Sequence, residues 1–402
     1  MSIIVQKFGG SSVADKDKLM NVANIISKKY DEGNQIVVVV SAQGKTTDGL
    51  VKKAEEITNT PNKREMDVLL STGEQITISL LAMTLQQMGK KAISFTGWQI
   101  PIITDKNNGN AKIKYIDDKT IKDKLDQGYI VIVAGFQGID EECNITTLGR
   151  GGSDTTAVAL SVALKADKCE IYTDVDGVFT CDPRIVKNVQ KIDEITYDDM
   201  LELASSGAKV LHNRCVEIAK KYNMQLDVKS SMEKGTGGTK VKDGSYLEDM
   251  VIRGVTKQDN IARIAIFGVE NKLGKTYEIF NMLAKENISV DIITQASGEH
   301  YQKDIFFTTS LNNLKKSLEI LKANKDIIGA KEILHREDLS KVSIVGVGMT
   351  YNPGVAAKMF EALYENNINM HMVTTSEVKI SVLVNKEDAD MAVRVIHDKF
   401  FK

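Results

Sequence analysis

Short apolar runs alternate with longer amphipathic stretches through residues 1–230. Ile3–Phe8 reads as a strand and is followed by Gly9-Gly10-Ser11-Ser12. A helical pattern then runs to about Tyr30. Ile36–Ser41 is a Val-rich strand whose unbroken apolar character suits burial on both faces. Met66–Met88 reads as a long helix, Ile130–Ala134 as a second buried strand and Asp154–Lys165 as a helix. Glu170–Thr173 is a short strand, Gly207–Tyr222 helical, and Gln225–Lys229 a strand again. This alternation predicts an α/β/α domain with a mostly parallel sheet. Such sheets bind ligands beyond the C-terminal ends of their strands, which directs attention to the loops after residues 8, 41, 134 and 173.

Lys234–Gly244, rich in Gly, Lys and Thr, reads as a linker. Beyond it the chain repeats. Ile264–Phe267 with Gly268 matches Ser343–Val345 with Gly346, Phe280-Asn281-Met282-Leu283 matches Phe360-Glu361-Ala362-Leu363, and Asn287-Ile288 matches Asn367-Ile368. Each copy reads as βαββαβ, which predicts two ferredoxin-like domains. The expected division is 1–245 for the first domain, 262–336 for the second, and 246–261 plus 337–402 for the third. The strand Asp249–Thr256 is thereby assigned to the third domain.

Composition narrows the classes of partner. Lys+Arg 52 against Asp+Glu 54 gives a net charge of −2, which argues against a dominant nucleic-acid or polybasic membrane role. No apolar run approaches the ~18 residues of a membrane span, so none is expected. The N-terminal MSIIVQKFGGSS lacks the regions of a signal peptide. Cys143, Cys169, Cys181 and Cys215 are scattered, which predicts a reducing, cytoplasmic setting. His212, His300, His335, His371 and His397 show no metal-ligand spacing.

Several loops could carry chemistry. In Lys7-Phe8-Gly9-Gly10-Ser11-Ser12-Val13, side-chain-free glycines let backbone N–H groups approach an anion at a helix start, with Lys7 in reach. A tight turn capped by Ser12 explains the same residues. Leu148-Gly149-Arg150-Gly151-Gly152-Ser153-Asp154 also precedes a helix. Arg150 offers a bidentate fork for carboxylate or phosphate, and three glycines exceed what a cap needs. Ser71-Thr72-Gly73-Glu74 fits a capping box equally well. Thr173-Asp174-Val175-Asp176-Gly177 is an acidic loop suited to ribose hydroxyls or a magnesium-phosphate unit, or a solvated turn. Gly44-Lys45-Thr46 and Gly274-Lys275-Thr276 lack the upstream glycine spacing of a P-loop.

Taken together with Ser41-Ala42-Gln43-Gly44-Lys45-Thr46-Thr47-Asp48, these motifs resemble, in order and spacing, the aspartokinases of the amino-acid kinase family. The C-terminal repeat looks like two ACT domains. The resemblance implies ATP-dependent phosphorylation of the β-carboxylate of L-aspartate, with Mg²⁺ bridging the ATP phosphates and no protein-built metal site. A carboxylate is already ionised at neutral pH, so no general base is needed. Lys7 and Lys209 would neutralise the transferring phosphoryl group and Asp154 would orient them. Glu74 would hold the substrate ammonium and Arg150 its α-carboxylate, with Thr47 and Ser153 adding hydrogen bonds. Gly9, Gly10, Ser11, Thr173, Asp174, Phe179, Arg184 and Val210 would contact the nucleotide. The ACT repeat implies feedback inhibition by lysine, threonine or both, and assembly as a homodimer or homotetramer. Effector contacts would fall on Asn271, Gly274, Thr276, Asp291 and Gln295, and on Asn352, Gly354, Asn369 and Met370. Where relatives often carry Asp-Lys-Pro-Gly, this chain has Asn271-Lys272-Leu273-Gly274. A sibling kinase acting on glutamate or acetylglutamate and a non-catalytic amino-acid sensor are the alternatives. The tandem ACT tail and the Lys7–Val13 motif weigh against the first, and Lys7, Arg150, Asp154 and Lys209 together against the second.

Overall fold

The computed structural model of the chain describes residues 1–402 apart from 209, 233–236, 245–251, 298–301, 348, 350, 351 and 353. The chain forms two compact units, Met1–Phe179 with Gln190–Glu248, and Thr180–Val189 with Asp249–Lys402.

In the first unit the strand Ile3–Phe8 lies at the centre of an eight-stranded sheet. Gln35–Val40 and Lys168–Thr173 flank it, both parallel. Ile130–Ala134 and then Ala92–Phe95 extend one side, again parallel. Leu226–Ser230 extends the other side in parallel. Thr239–Lys242 then turns back antiparallel, inside the stretch read as a linker. Thr239 and Val241 explain this. Both are buried, and the Thr239 hydroxyl donates to the Ile192 carbonyl at 2.6 Å while accepting from the Val178 N–H at 2.7 Å.

Helices Lys16–Asp31 and Lys63–Gln87 share one core with the sheet. Val22, Ile26, Ile78, Leu81 and Leu85 meet Phe8, Val38 and Ile132 there, all at most 3% exposed. Full burial of side chains this size contributes roughly 1.5–3 kcal/mol each. By length and composition Lys63–Gln87 could also cross a membrane, contrary to the expectation that no segment would. In this fold it instead buries the polar residues Asp67, Ser71, Glu74 and Thr77. The helix expected at Gly207–Tyr222 begins only at Asn213, where the His212 side chain caps it, and a separate helix spans Tyr197–Ser205. Gly207 has a φ of +120°, outside the range of a right-handed helix, so the helix cannot run through it. A small four-stranded sheet (Ile102–Thr104, Ile113–Ile116, Gln137–Ile139, Ile145–Thr147) escaped the sequence reading, because strands this short carry little periodicity.

The second unit holds two four-stranded antiparallel sheets. In one, Ala262–Glu270 lies between Gln302–Thr309 and Glu332–Arg336, with Val290–Ser297 at the edge. In the other, Leu339–Val345 lies between Gly254–Gln258 and Lys379–Asn385, with Met372–Thr375 at the edge. The strand just before the first repeat therefore pairs inside the second. Thr180–Val189 corrects the 1–245 boundary, since it belongs to this unit. Cys181 and Val186 are buried in one core with Ile252, Val255, Val342 and Ile396. The Val255 N–H donates to the Thr180 carbonyl at 2.8 Å, and the Arg394 Nε to the Ile185 carbonyl at 3.0 Å.

Candidate active site

Three parallel strands end together in the first unit and bring their following loops into one place. Lys7 sits one residue before the end of Ile3–Phe8. Its ammonium lies 2.6 Å from Asp154 Oδ1, both side chains being 12–13% exposed. The contact is a charge-assisted ion pair that engages one of the three donors of the Lys7 ammonium. Asp154 is in the first turn of the helix Gly152–Leu164. The neighbouring Ser153 hydroxyl accepts from Ser41 Oγ at 3.0 Å. Ala42 follows Ser41, and its N–H donates to Glu74 Oε1 at 3.0 Å. A continuous polar line thus joins Lys7, Asp154, Ser153, Ser41, Ala42 and Glu74.

Glu74 stands out on this line. It is 3% exposed, and its Oε2 has no hydrogen-bond partner among the described residues. Burial pushes its carboxyl up to about 7, with the Ala42 N–H opposing the shift. A buried carboxylate oxygen that no protein donor engages is suited to receive a cation. Its place inside a long helix, rather than at the start, rules out the capping-box reading. The cap of that helix is Asn62, whose side chain accepts from the Arg64 and Glu65 N–H groups.

The glycine loop after Lys7 is shaped by close approach. A Cβ on Gly10 would lie 2.5 Å from the Ala42 carbonyl oxygen, and the Gly44 N–H already donates to the Gly10 carbonyl at 2.9 Å. Gly9 has its own Cβ position 3.5 Å from Lys7 Nζ, so it leaves the ammonium uncovered. Ser11 is exposed beside it. Ser12 is not a cap: its hydroxyl shares a 2.7 Å hydrogen bond with that of Ser231.

Arg150 is exposed at the crest of its loop, between Gly149 (φ +76°) and Gly151 (φ +65°). Residues that the sequence reading left aside hold this loop. Arg214 donates to the Leu148 carbonyl at 2.7 Å and the Ala111 carbonyl at 2.8 Å. The His212 ring packs so near Gly151 that a Cβ there would lie 2.3 Å from it. Burial lowers the His212 pKa, with Asp154 opposing, so the ring is neutral near pH 7. Asp67 accepts from the Thr147 hydroxyl at 2.6 Å and from the Asn108 side chain at 2.8 Å. Asp67 sits two helical turns before Glu74 on the same buried face, the one signal that could have found it.

The other expected residues fall as follows. Thr47 is half-buried in the first turn of Thr46–Ile57. Thr173 ends its strand, its hydroxyl donating to the Asp174 carboxylate at 3.0 Å, and Phe179 lies in a two-residue strand paired antiparallel with Lys191–Ile192. Val210 is half-buried, and Lys209 lies outside the described residues. Arg184 belongs to the second unit, where its guanidinium is paired with Asp182 at 2.8 Å. Among the described residues no group of three His, Cys, Asp or Glu side chains could hold a metal.

In the second unit, Gly274 and Gly354 precede the helices Lys275–Lys285 and Val355–Glu365, and neither helix has a side-chain cap. The Thr276 hydroxyl donates to Gln295 Oε1 at 3.1 Å. Asp291 is paired with Lys341. Asn271, Asn352 and Asn369 are exposed, and Met370 packs against the second core.

A glycine-lined anion loop beside an ammonium, on a parallel sheet with a buried carboxylate nearby, defines a kinase for small zwitterionic acids. Comparison with known proteins agrees. The amino acid kinase family model matches residues 2–230, and an ACT domain model matches residues 342–400. Aspartokinase 2 of Bacillus subtilis (strain 168) is 51% identical over 400 residues, covering 100% of this chain and 98% of that protein. The aspartokinase of Geobacillus stearothermophilus is 50% identical over 400 residues, covering 100% and 97%. Among solved structures, E. coli aspartokinase III with aspartate and ADP (R-state) superposes with a TM-score of 0.86 at 27% identity, covering 100% of both chains. The same protein with lysine and aspartate (T-state) gives 0.76 at 28%, again covering 100% of both chains. The chain belongs to the aspartokinase family.

Proposed function

We propose that this chain transfers the γ-phosphoryl group of MgATP to the β-carboxylate of L-aspartate, giving 4-phospho-L-aspartate, under feedback control through its ACT domains. The observation that carries the assignment of roles is the buried Glu74, with an open Oε2 on the same polar line as Lys7 and Asp154. Glu74 takes the substrate ammonium and Arg150 the α-carboxylate. That leaves the β-carboxylate as the free end of the substrate. Thr47 and Ser153 complete its hydrogen bonds.

Glycines 9 and 10 with Ser11 offer backbone donors to the phosphates, and Thr173, Asp174 and Phe179 border the nucleotide. Phosphoryl transfer needs alignment and charge neutralisation more than covalent help. Lys7 supplies positive charge at the transferring group and Asp154 fixes its ammonium. We assign the second charge to Lys209. When bound, Mg²⁺ adds charge neutralisation on the phosphates and arrives with ATP.

Lysine is our first candidate effector, because the E. coli relative is solved with lysine bound; threonine is the second. We place the enzyme in the cytoplasm, where its four free thiols would stay reduced. We take it to assemble as a homodimer or homotetramer. The test is ATP turnover with aspartate against glutamate, with lysine and threonine added singly and together. Turnover with glutamate but not aspartate would overturn the reading.

A further inference from the structure

The glycine loop of the first unit lies beyond the strand pairing that supports it. Ile3–Phe8 pairs with Lys168–Thr173 as far as Phe8 opposite Tyr172, and Lys168–Thr173 pairs with Leu226–Ser230 as far as Thr173 opposite Ser230. The short helical turn Gly10–Val13 follows, and other ties must hold it to the neighbouring strand ends. On one side it is tied to the residues after Gln35–Val40. The Gly44 N–H donates to the Gly10 carbonyl at 2.9 Å, and Gln43 Nε2 to the Val13 carbonyl at 2.7 Å. On the other side the tie is Ser12, whose hydroxyl lies 2.7 Å from that of Ser231, 219 residues further along the chain.

Ser231 directly follows Leu226–Ser230 and is 3% exposed, and Ser12 is 1% exposed. The Ser231 N–H donates to the Thr173 carbonyl at 2.9 Å, and the Asn21 side chain donates to the Ser231 carbonyl at 2.6 Å. The backbone of Ser231 is thus anchored without its side chain. Its hydroxyl donates to the same Thr173 carbonyl at 3.2 Å. A hydroxyl carries one proton and a carbonyl only accepts. The hydrogen bonds therefore run one way, from the Ser12 O–H to Ser231 Oγ and from the Ser231 O–H to the Thr173 carbonyl. They join the glycine loop to the end of the strand that leads into the acidic loop at 174–177.

Packing does not call for these hydroxyls. Val13, next to Ser12, is buried in one core with Phe8 and Tyr172, whose rings stack with centroids 4.6 Å apart. Apolar contact already joins the two strands there. A buried hydroxyl is costly unless bonded, so two of them side by side are a feature to explain. What they add is direction. Apolar contact is non-directional, whereas a hydrogen bond fixes a distance and an angle.

We propose that Ser231 is a positioning residue for the nucleotide. Its hydroxyl, held between Ser12 and the Thr173 carbonyl, sets the spacing between the backbone donors of the glycine loop and the strand end at Thr173, so that both meet one bound nucleotide. Ser231 acts through Ser12 and Thr173 rather than on the phosphates. Spacing matters because a misplacement of about 1 Å can cost about 100-fold in rate. The residues assigned to aspartate have other supports: the Ala42 N–H for Glu74, and Arg214 for the loop of Arg150. This role rests on the nucleotide reading of Gly9, Gly10, Ser11 and Thr173 above and is separable from it by experiment.

The full-length enzyme is assayed as Ser12→Ala, Ser231→Ala and the double variant. Calorimetry with MgADP should show binding weakened at least about fivefold in Ser231→Ala, the scale of one buried hydrogen bond. Ser12→Ala should weaken it by a similar factor. The double variant should lose no more than the larger single effect, because both changes remove the same bond. L-Aspartate binding should be unchanged in all three. In turnover the KM for MgATP should rise and kcat fall, with the KM for aspartate constant. Urea unfolding reads the stability each variant loses and separates packing from positioning. A variant that loses stability but binds MgADP like the unsubstituted enzyme overturns the role. Additive effects of the two serines, or equal weakening of aspartate and nucleotide, overturn it as well. Failure of the unsubstituted enzyme to bind MgADP overturns the nucleotide reading and the role with it.

Discussion

Replacing Glu74 by Gln tests the substrate site through its proton. Glu74 Oε1 accepts from the Ala42 N–H, and a glutamine oxygen keeps that bond. What the variant loses is the negative charge on a carboxyl that burial holds at about 7 rather than 4.5. In the ligand-free enzyme the folded state retains this proton between those two values, while the unfolded chain releases it. Stability therefore falls as pH rises through that window and is lowest above 7. At 1.36 kcal/mol per pH unit, ionised Glu74 costs the fold about 3 kcal/mol at pH 8. Glu74→Gln should recover about that much in urea unfolding at pH 8, and almost nothing near pH 4.5. Aspartate binding should respond in the opposite sense. Its ammonium needs the ionised carboxylate, so the dissociation constant should rise about tenfold between pH 8 and pH 6. Calorimetry in two buffers at pH 7 should show release of about half a proton on binding. Glu74→Gln should bind weakly, release no proton and show no slope. A flat profile for the unsubstituted enzyme, the same slope in the variant, or a variant less stable at pH 8 would refute the reasoning.

Arg150→Lys keeps the charge but loses the planar fork. It should cost roughly 1.5–3 kcal/mol of aspartate binding, read as a raised KM with kcat little changed; an unaltered KM removes Arg150 from the carboxylate. Lys7→Ala should lower kcat far more than it raises the KM for aspartate, and an equal kcat rejects its role at the phosphoryl group. Gly151→Ala places a Cβ on a residue at φ +65° and 2.3 Å from the His212 ring. The backbone alone costs about 1–2 kcal/mol. Thermal unfolding should show at least that loss, with kcat/KM falling as the Arg150 loop shifts; an unchanged melting temperature would mean the loop is softer than its packing indicates.

Much of the fold is legible along the chain because it depends on local periodicity. Ile3–Phe8, apolar except at Gln6 and Lys7, and Ile130–Ala134, apolar throughout, both form strands over those same residues. The Gly274 and Gly354 turns and the Asn-Ile pairs mark the duplication. Glycine loops, Lys7 and Arg150 announce an anion site, since their chemistry is carried by residue type. Other features depend on which residues meet across the fold. Ser71-x-x-Glu74 satisfies a capping pattern, and only packing shows that Glu74 is buried mid-helix with an open oxygen. Thr239–Lys242 looks like linker until the Thr239 hydroxyl finds its two backbone partners in the sheet. Thr180–Val189 continues the kinase sequence without a break, yet Cys181 and Val186 find their apolar neighbours in the second unit. Lys303 reads as an ordinary charged position in an alternating strand. Its register opposite Val269 buries most of the side chain and brings its ammonium to Thr276. Sequence determined the elements and the kind of chemistry, because periodicity and residue type are local properties. Tertiary structure decided which charges lose their water and which donors are left unpaired, because burial is set by neighbours distant in the chain.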